Sequence, residues 1–366
     1  MKKIVQLTFL VLLFNVGSNR IFAQNLKPGF DKAEYAELLK IAVTQVDTSI
    51  YKTKIPKPAF SRLIYRSLSI ALDNSWDLWI YNNNIAVISI RATTKNADSW
   101  MENFYAAMLP ATGVLRLSDT SLFKYQLATN SRATIHAGWL TGLGYLSGDI
   151  LSKIDSCILQ NINQFIITGH SQGGAISILL TAYLRNLIAQ NRFTKSITIK
   201  TYSSAAPKPG NLYFAYDYET ATYGGWAFTV INSADWVPEA PVSIQTERDF
   251  NKTNPFAIVN TVIKKQSFPK NLLMRHAFNQ LSKPLNKAQK KHEKYLGKLI
   301  YKRAKKRLQN QPQPTYSHTS NYTRCGQQII LLADNSYYKL FPDEPKAIFT
   351  HHKFEPYLYL LSRMKD

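Results

Sequence analysis

The sequence predicts an α/β layer fold: a mostly parallel central sheet flanked by helices. Three observations predict it. Short β-rich runs alternate with segments of helical period through most of the chain. Residues 165–168 form a short apolar run that suits a strand buried on both faces. The chain has 366 residues and is 45% hydrophobic, enough to bury a full core.

The elements follow in order. Residues 30–41 place apolar side chains at helical spacing, with Asp31 set to cap or charge the first turn. Residues 76–90 are two β-rich runs around Asn82-Asn83-Asn84, a hairpin pattern. Residues 147–159 read as a helix, 165–168 as a strand and 175–188 as a long helix. Residues 197–202, 227–231 and 328–332 read as further strands. Residues 355–364 form a last helix, with Pro356 tolerated in its first turn. Between about 250 and 320 the rhythm breaks. That stretch holds a basic block, several prolines and a polar run, and reads as a surface insertion in one domain spanning 24–366.

The chain opens with Met1-Lys2-Lys3, then an apolar run from Ile4 to Val16, then a polar patch closing on Ala23. This is the pattern of a signal peptide over residues 1–23, with Gln24 as the first mature residue and a secreted or periplasmic destination. No later stretch is long and apolar enough to cross a bilayer. Cys157 and Cys325 are the two cysteines, so one disulfide is the most the chain can form. No Cys or His spacing resembles a zinc site, and no metal or cofactor is expected.

The most informative segment is Gly169-His170-Ser171-Gln172-Gly173. A Gly-x-Ser-x-Gly match alone is weak. Here an apolar strand precedes it and a helix-forming run follows, the setting of a nucleophile on a sharp strand-to-helix turn. Such a turn strains the serine backbone and needs small residues two before and two after it. Ser171 then stands at a helix N-terminus, where amides and the dipole favour developing negative charge. A serine hydroxyl needs a base, and the base needs a third group to hold it. Asp235 lies just past the strand at 227–231, where catalytic groups of open α/β sheets gather.

These segments, taken in order, resemble the class 3 lipase family, the fungal-lipase-like branch of the α/β hydrolases. Ile90-Arg91-Ala92-Thr93-Thr94 is similar to the family's strand ending in Arg-Gly-Thr or Arg-Gly-Ser, and Trp100 to the tryptophan of the helix that follows. Ile135-His136-Ala137-Gly138-Trp139 is similar to its His-x-Gly-aromatic segment. Residues 201–211 and Asn232-Ser233-Ala234-Asp235-Trp236-Val237-Pro238 are similar to its Gly-Ser-Pro-x-x-Gly-Asn and Asn-x-x-Asp-x-Val-Pro segments. The resemblance spans about 30–250 plus the tail, and it implies an α/β-hydrolase fold.

It also implies Ser171 as nucleophile, Asp235 as acid and a C-terminal histidine as base. Plant-like members carry His-x-Leu-Glu-x-Tyr-Leu there, and His352-Lys353-Phe354-Glu355-Pro356-Tyr357-Leu358 fits that register. His351 is one residue early and His318 a further alternative. His136 is expected to be structural, His170 to be a residue beside the turn at Ser171, and His276 and His292 to sit on a solvated basic face. The oxyanion hole would use the amides of Gln172 and Thr93, helped by the Thr93 hydroxyl. Ala92 departs from the family glycine, a strain if that position needs positive φ. Residues 98–109 correspond to the family's lid; a helix packed permanently on the core is the other reading.

The formal charge is +22. Residues 264–307, which begin at Lys264 and end at Arg307, carry fifteen Lys or Arg and one acid, Glu293. Residues 287–308 recur in Leu296, Ile300, Ala304 and Leu308 every four positions among cations. A basic amphipathic helix of this kind binds an anionic membrane surface; nucleic acid is not the expected partner, because no recognised motif is present.

The sequence therefore points to an exported hydrolase of lipid carboxylic esters, of lipase or esterase type, working through an acyl-enzyme. A phospholipase A-type enzyme on anionic membranes is an alternative. So is a catalytically weak lipid-surface-binding protein on the same scaffold.

Overall fold

Seven strands form the central sheet, and they lie side by side in chain order. They are β1 (Ser61–Arg66), β2 (Trp76–Tyr81), β3 (Ile85–Ile90), β4 (Gln164–His170), β5 (Thr198–Ser204), β6 (Ala227–Asn232) and β7 (Gln327–Leu331). Pairing is antiparallel from β1 to β3 and parallel from β3 to β7. The structure, a computed structural model, describes residues 26–46, 55–309 and 311–365. The signal-peptide segment lies outside the described residues. The hairpin expected at 76–90 is present, and Asn82 and Asn83 both take positive φ, as a tight hairpin turn of this hand requires.

The helices are α1 (Lys32–Val43), α2 (Ala97–Phe104), α3 (Ala137–Leu159), α4 (Gln172–Ala189), α5 (Leu212–Ala221), α6 (Pro255–Lys264), α7 (Lys270–Glu293), α8 (Ile300–Ala304), α9 (Asn335–Leu340) and α10 (Phe354–Arg363). Strand alternation sorts them into layers. Ile88, Phe165 and Ile167 join the core under α3 and α4, with Leu143, Ile150 and Leu180. Val87, Ile166 and Val230 face the other way, against Leu38 and Ile41 of α1 and Leu361 of α10. A fully buried side chain of this size contributes about 1.5–3 kcal/mol. This two-faced core around a mostly parallel sheet is the α/β layer architecture the sequence predicts.

Helix α1 is capped by Asp31, which accepts from the amides of Ala33 and Glu34. A buried ion pair, Lys200 Nζ to Glu34 Oε2 at 2.6 Å, ties it to β5.

Helix α3 starts ten residues before the expected helix, at Ala137 instead of 147. Gly138, Gly142 and Gly144 lower the local helix propensity, and packing overrides it. A Cβ at Gly138 would lie 2.0 Å from the Glu102 carbonyl oxygen, and one at Gly142 2.3 Å from Glu102 Oε1. These glycines let α2 press directly onto α3. Cys157 and Cys325 are both buried free thiols, so the one disulfide the chain could form is absent.

The basic insertion corrects one expectation. α7 runs through a π-helical turn, Lys294–Leu299, into α8. The stripe that was to face a membrane is turned inward. Ala304 and Leu308 are buried with Leu72, and Ile300 packs against the main core. The Leu296 carbonyl accepts from the Ala107 amide at 3.1 Å. Apolar residues every four positions are what a core-docked helix needs as well, and the core took them.

Candidate active site

Ser171 sits between β4 and α4 with φ 58° and ψ −127°, and its side chain makes no capping hydrogen bond. This is the strained strand-to-helix turn expected of an exposed nucleophile. The glycines around it are sterically required. A Cβ at Gly169 would stand 2.3 Å from Gly173 backbone atoms, and one at Gly173 2.2 Å from the Ile90 carbonyl oxygen. The second contact brings the start of α4 against the end of β3, where Ala92 and Thr93 follow. Gln172, the first residue of α4, has an amide with no intrahelical acceptor.

Asp235 lies just beyond β6 and is buried. Its Oδ2 accepts from His352 Nδ1 at 2.7 Å and from the Tyr357 hydroxyl at 2.8 Å, and its Oδ1 from the Val237 amide at 3.0 Å. Burial alone would raise this carboxyl. The charge of His352, the imidazole hydrogen bond and the other two donors outweigh it and hold Asp235 below the ordinary aspartate range. With Nδ1 engaged by Asp235, His352 keeps Nε2 for the cavity it lines.

That cavity, about 460 Å³, is bordered by Ser171, Gln172, Thr93 and His352. Its walls are mostly apolar. Trp100 and Trp236 both pack on Phe349, at 5.9 and 5.5 Å between ring centres, and Phe349 stands 6.0 Å from His352.

The structure separates the two tail histidines. His351 turns away: its Nε2 meets Asp343 at 2.9 Å and its Nδ1 the Tyr337 hydroxyl at 2.8 Å. His318 is exposed and paired with Glu293. His292 departs from the expected solvated face, because α7 carries it to the cavity wall, with Leu296 one turn further on.

Ala92 is not among the described residues with positive φ, so alanine there is unstrained. The Thr93 hydroxyl donates to Gln172 Oε1 at 3.0 Å and accepts from Asn103 Nδ2 at 2.9 Å. Asn103 in turn accepts from Trp139 Nε1 at 3.0 Å, and its carbonyl from His136 Nε2 at 3.1 Å. The hydroxyl proton is thus committed to Gln172.

Of the two readings of residues 98–109, this structure has the packed one. Glu102 is fully buried on α3, and Tyr105, Met108 and Leu109 are core residues. Trp100 and Phe104 alone of its large apolar side chains line the cavity.

Two residues escape sequence reasoning. His170 is buried and neutral. Its Nε2 donates to the His352 carbonyl at 2.8 Å, and its Nδ1 accepts from the Ser204 hydroxyl at 3.0 Å. Ser204 is bonded in turn to the Tyr35 hydroxyl at 2.6 Å. Burial, then the nearby charge of His352, pushes His170 down to about 3. Tyr357 is the second, on the same carboxylate oxygen as His352. It belongs to the tail motif that singles out His352, but nothing in its spacing reveals that partner.

Residues 87–244 match the family model described as Lipase (class 3). The matched region covers 158 of the 366 residues, less than half of the chain. That region holds Ser171, Thr93 and Asp235; His352 lies beyond it and reaches the site through the fold. Over 109 residues the chain is 38% identical to secreted mono- and diacylglycerol lipase 3 of Gibberella zeae, 29% of this chain and 32% of that protein. It is 28% identical over 108 residues to secreted mono- and diacylglycerol lipase 1 of Fusarium solani, 29% of each. The chain thus spans about a third of the length of these relatives. Among solved structures it is similar to a triacylglycerol lipase of Penicillium expansum, at 16% identity and a TM-score of 0.40, over 58% of this chain and 74% of that one. Rhizomucor miehei triacylglyceride lipase gives 16% and 0.41, over 59% and 77%.

Proposed function

We propose that this chain is an exported serine hydrolase of lipid carboxylic esters. The observation that carries the reading is the His352 imidazole, held through Nδ1 by the buried Asp235, bordering the apolar cavity that Ser171 also borders. In the proposed reaction Ser171 Oγ attacks the ester carbonyl while His352 Nε2 takes its proton. Asp235 holds the tautomer and stabilises the imidazolium. The amides of Gln172 and Thr93 receive the oxyanion, each donor lowering the barrier by about 3–4 kcal/mol. Collapse breaks the ester C–O bond, His352 returns the proton to the departing alcohol, and water then releases the fatty acid by the same steps.

The apolar walls favour an acyl chain over a polar acyl group. The names of the two fungal relatives make mono- and diacylglycerols the first substrates to offer. Residues 1–23 and the secreted relatives support export, and among the described residues no helix is long and apolar enough to cross a membrane. The test is fatty-acid release from emulsified diacylglycerol and from p-nitrophenyl esters of graded length by the chain and by Ser171→Ala. The reading expects release by the parent and loss of at least a thousandfold in the variant. Equal rates would refute it.

A further inference from the structure

The apolar surface that the basic insertion leaves exposed is not the stripe at 296–308 but the hairpin upstream of it. Helix α7 has 24 residues, about 36 Å at 1.5 Å each. Gln289 is its one buried residue, and Ile263 that of α6. Packing of this kind leaves large apolar side chains in solvent: Phe268 is 77% exposed, Leu273 69% and Leu281 72%, with Ile258 and Leu285 also exposed. Single exposed leucines are ordinary; a cluster along one projecting hairpin is not.

The charges the hairpin itself carries are of one sign, although Glu247 packs on Asn286 of α7. Residues 250–292 contain nine Lys or Arg and no Asp or Glu. On α7, Leu273, Leu281 and Leu285 recur at helical spacing on one side, and Lys283, Lys287 and Lys290 on an adjoining side. An apolar strip bordered by cations fits the boundary of an anionic bilayer, apolar residues among the acyl chains and ammonium groups at the headgroups. A second copy of this chain would bring nine like charges to the same contact, and a nucleic acid would leave the leucines in water. The same helix continues through His292 and Leu296 into the cavity wall, so whatever holds the hairpin holds the cavity beside it.

We propose that the α6–α7 hairpin docks the protein on an anionic phospholipid surface, its apolar strip inserted at the headgroup boundary. The inference rests on the ester-hydrolase reading only for the use to which the docking is put.

The test uses the full chain, sedimented with vesicles of phosphatidylcholine alone and of phosphatidylcholine mixed with phosphatidylglycerol. Two variants accompany it: Leu273→Ser with Leu281→Ser, and Lys283→Gln, Lys287→Gln and Lys290→Gln together. The wild type is expected to bind the mixed vesicles far more tightly than the neutral ones, and less tightly as salt rises. At about fivefold per cation, the triple variant loses on the order of a hundredfold. The leucine variant loses tenfold or more by the burial it forgoes. Both are expected to keep parental turnover of a short soluble p-nitrophenyl ester, which shows that they fold. Wild-type failure to bind, unchanged binding by either variant, or a wild-type dimer in light scattering that the leucine variant dissolves would each overturn the proposal. Vesicle binding without soluble-ester turnover in the wild type would support the docking and sink the hydrolase reading instead.

Discussion

Two buried histidines predict how the protein responds to acid. His136 and His170 are both fully enclosed, and burial is the largest cause that pushes each down to about 3. His136 caps α3 and stacks on Trp139 at 3.6 Å; His170 stands 4.8 Å from the His352 ring. The unfolded chain takes a proton on each imidazole near pH 6.5, while the folded chain refuses it until about pH 3. Unfolding therefore binds protons throughout that window, and stability falls as pH drops through it. Each group contributes about 1.4 kcal/mol per pH unit. At pH 5 the two together cost about 4 kcal/mol, against a total of about 5–15 kcal/mol for an ordinary domain. The assay is urea unfolding at several pH values between 7.5 and 5, on the parent and on His170→Gln. Glutamine keeps a donor for the His352 carbonyl and has no proton to gain. Below about pH 6 the variant is expected to lose less stability than the parent on acidification, by one histidine's share of about 1.4 kcal/mol per pH unit. A variant with the parental slope would refute the reasoning.

Three further outcomes follow from the same geometry. Glu102 is raised well above its ordinary value, chiefly by burial, so unfolding releases its proton and stability falls as pH rises above about 4.5. Glu102→Gln is therefore expected to be more stable than the parent at pH 8, by about 1–3 kcal/mol, with the gap closing toward pH 4.5 in thermal melts. Ala92→Gly introduces a glycine where φ is not positive. It should lower stability by about 0.4–1 kcal/mol and leave kcat unchanged; a rise in kcat would show that the loop needs glycine after all. Leu296→Trp narrows the cavity from the insertion side. It should cut turnover of long-chain esters on the order of tenfold while sparing short ones, and equal losses at both lengths would mean that Leu296 does not border the acyl path.

The parts legible in the sequence are those whose cause is local. Strands β3, β4 and β6 announce themselves as apolar runs, and the turn at Ser171 through glycines that sterics demands at 169 and 173. The start of α3 is hidden because its glycines lower helix propensity, and their value lies in the contact with Glu102. His170 looks inert because its partners, Ser204 and the His352 carbonyl, lie 34 and 182 residues away. The stripe at 296–308 has the right period for two different fates, and periodicity alone does not choose between a bilayer and a core. Strand β1 is largely exposed at the sheet edge and lacks the buried pattern that marks β2 to β6.

The convergence of Ser171, His352 and Asp235 on one reaction is tested most directly by covalent labelling. The parent and the variants His352→Ala and His351→Ala are incubated with a fluorophosphonate, and the modified peptide is identified by mass spectrometry. The account predicts one adduct on Ser171 in the parent, the same adduct at a similar rate in His351→Ala, and a rate lower by at least a hundredfold in His352→Ala. Labelling elsewhere, or labelling that survives the loss of His352 but not of His351, would contradict it.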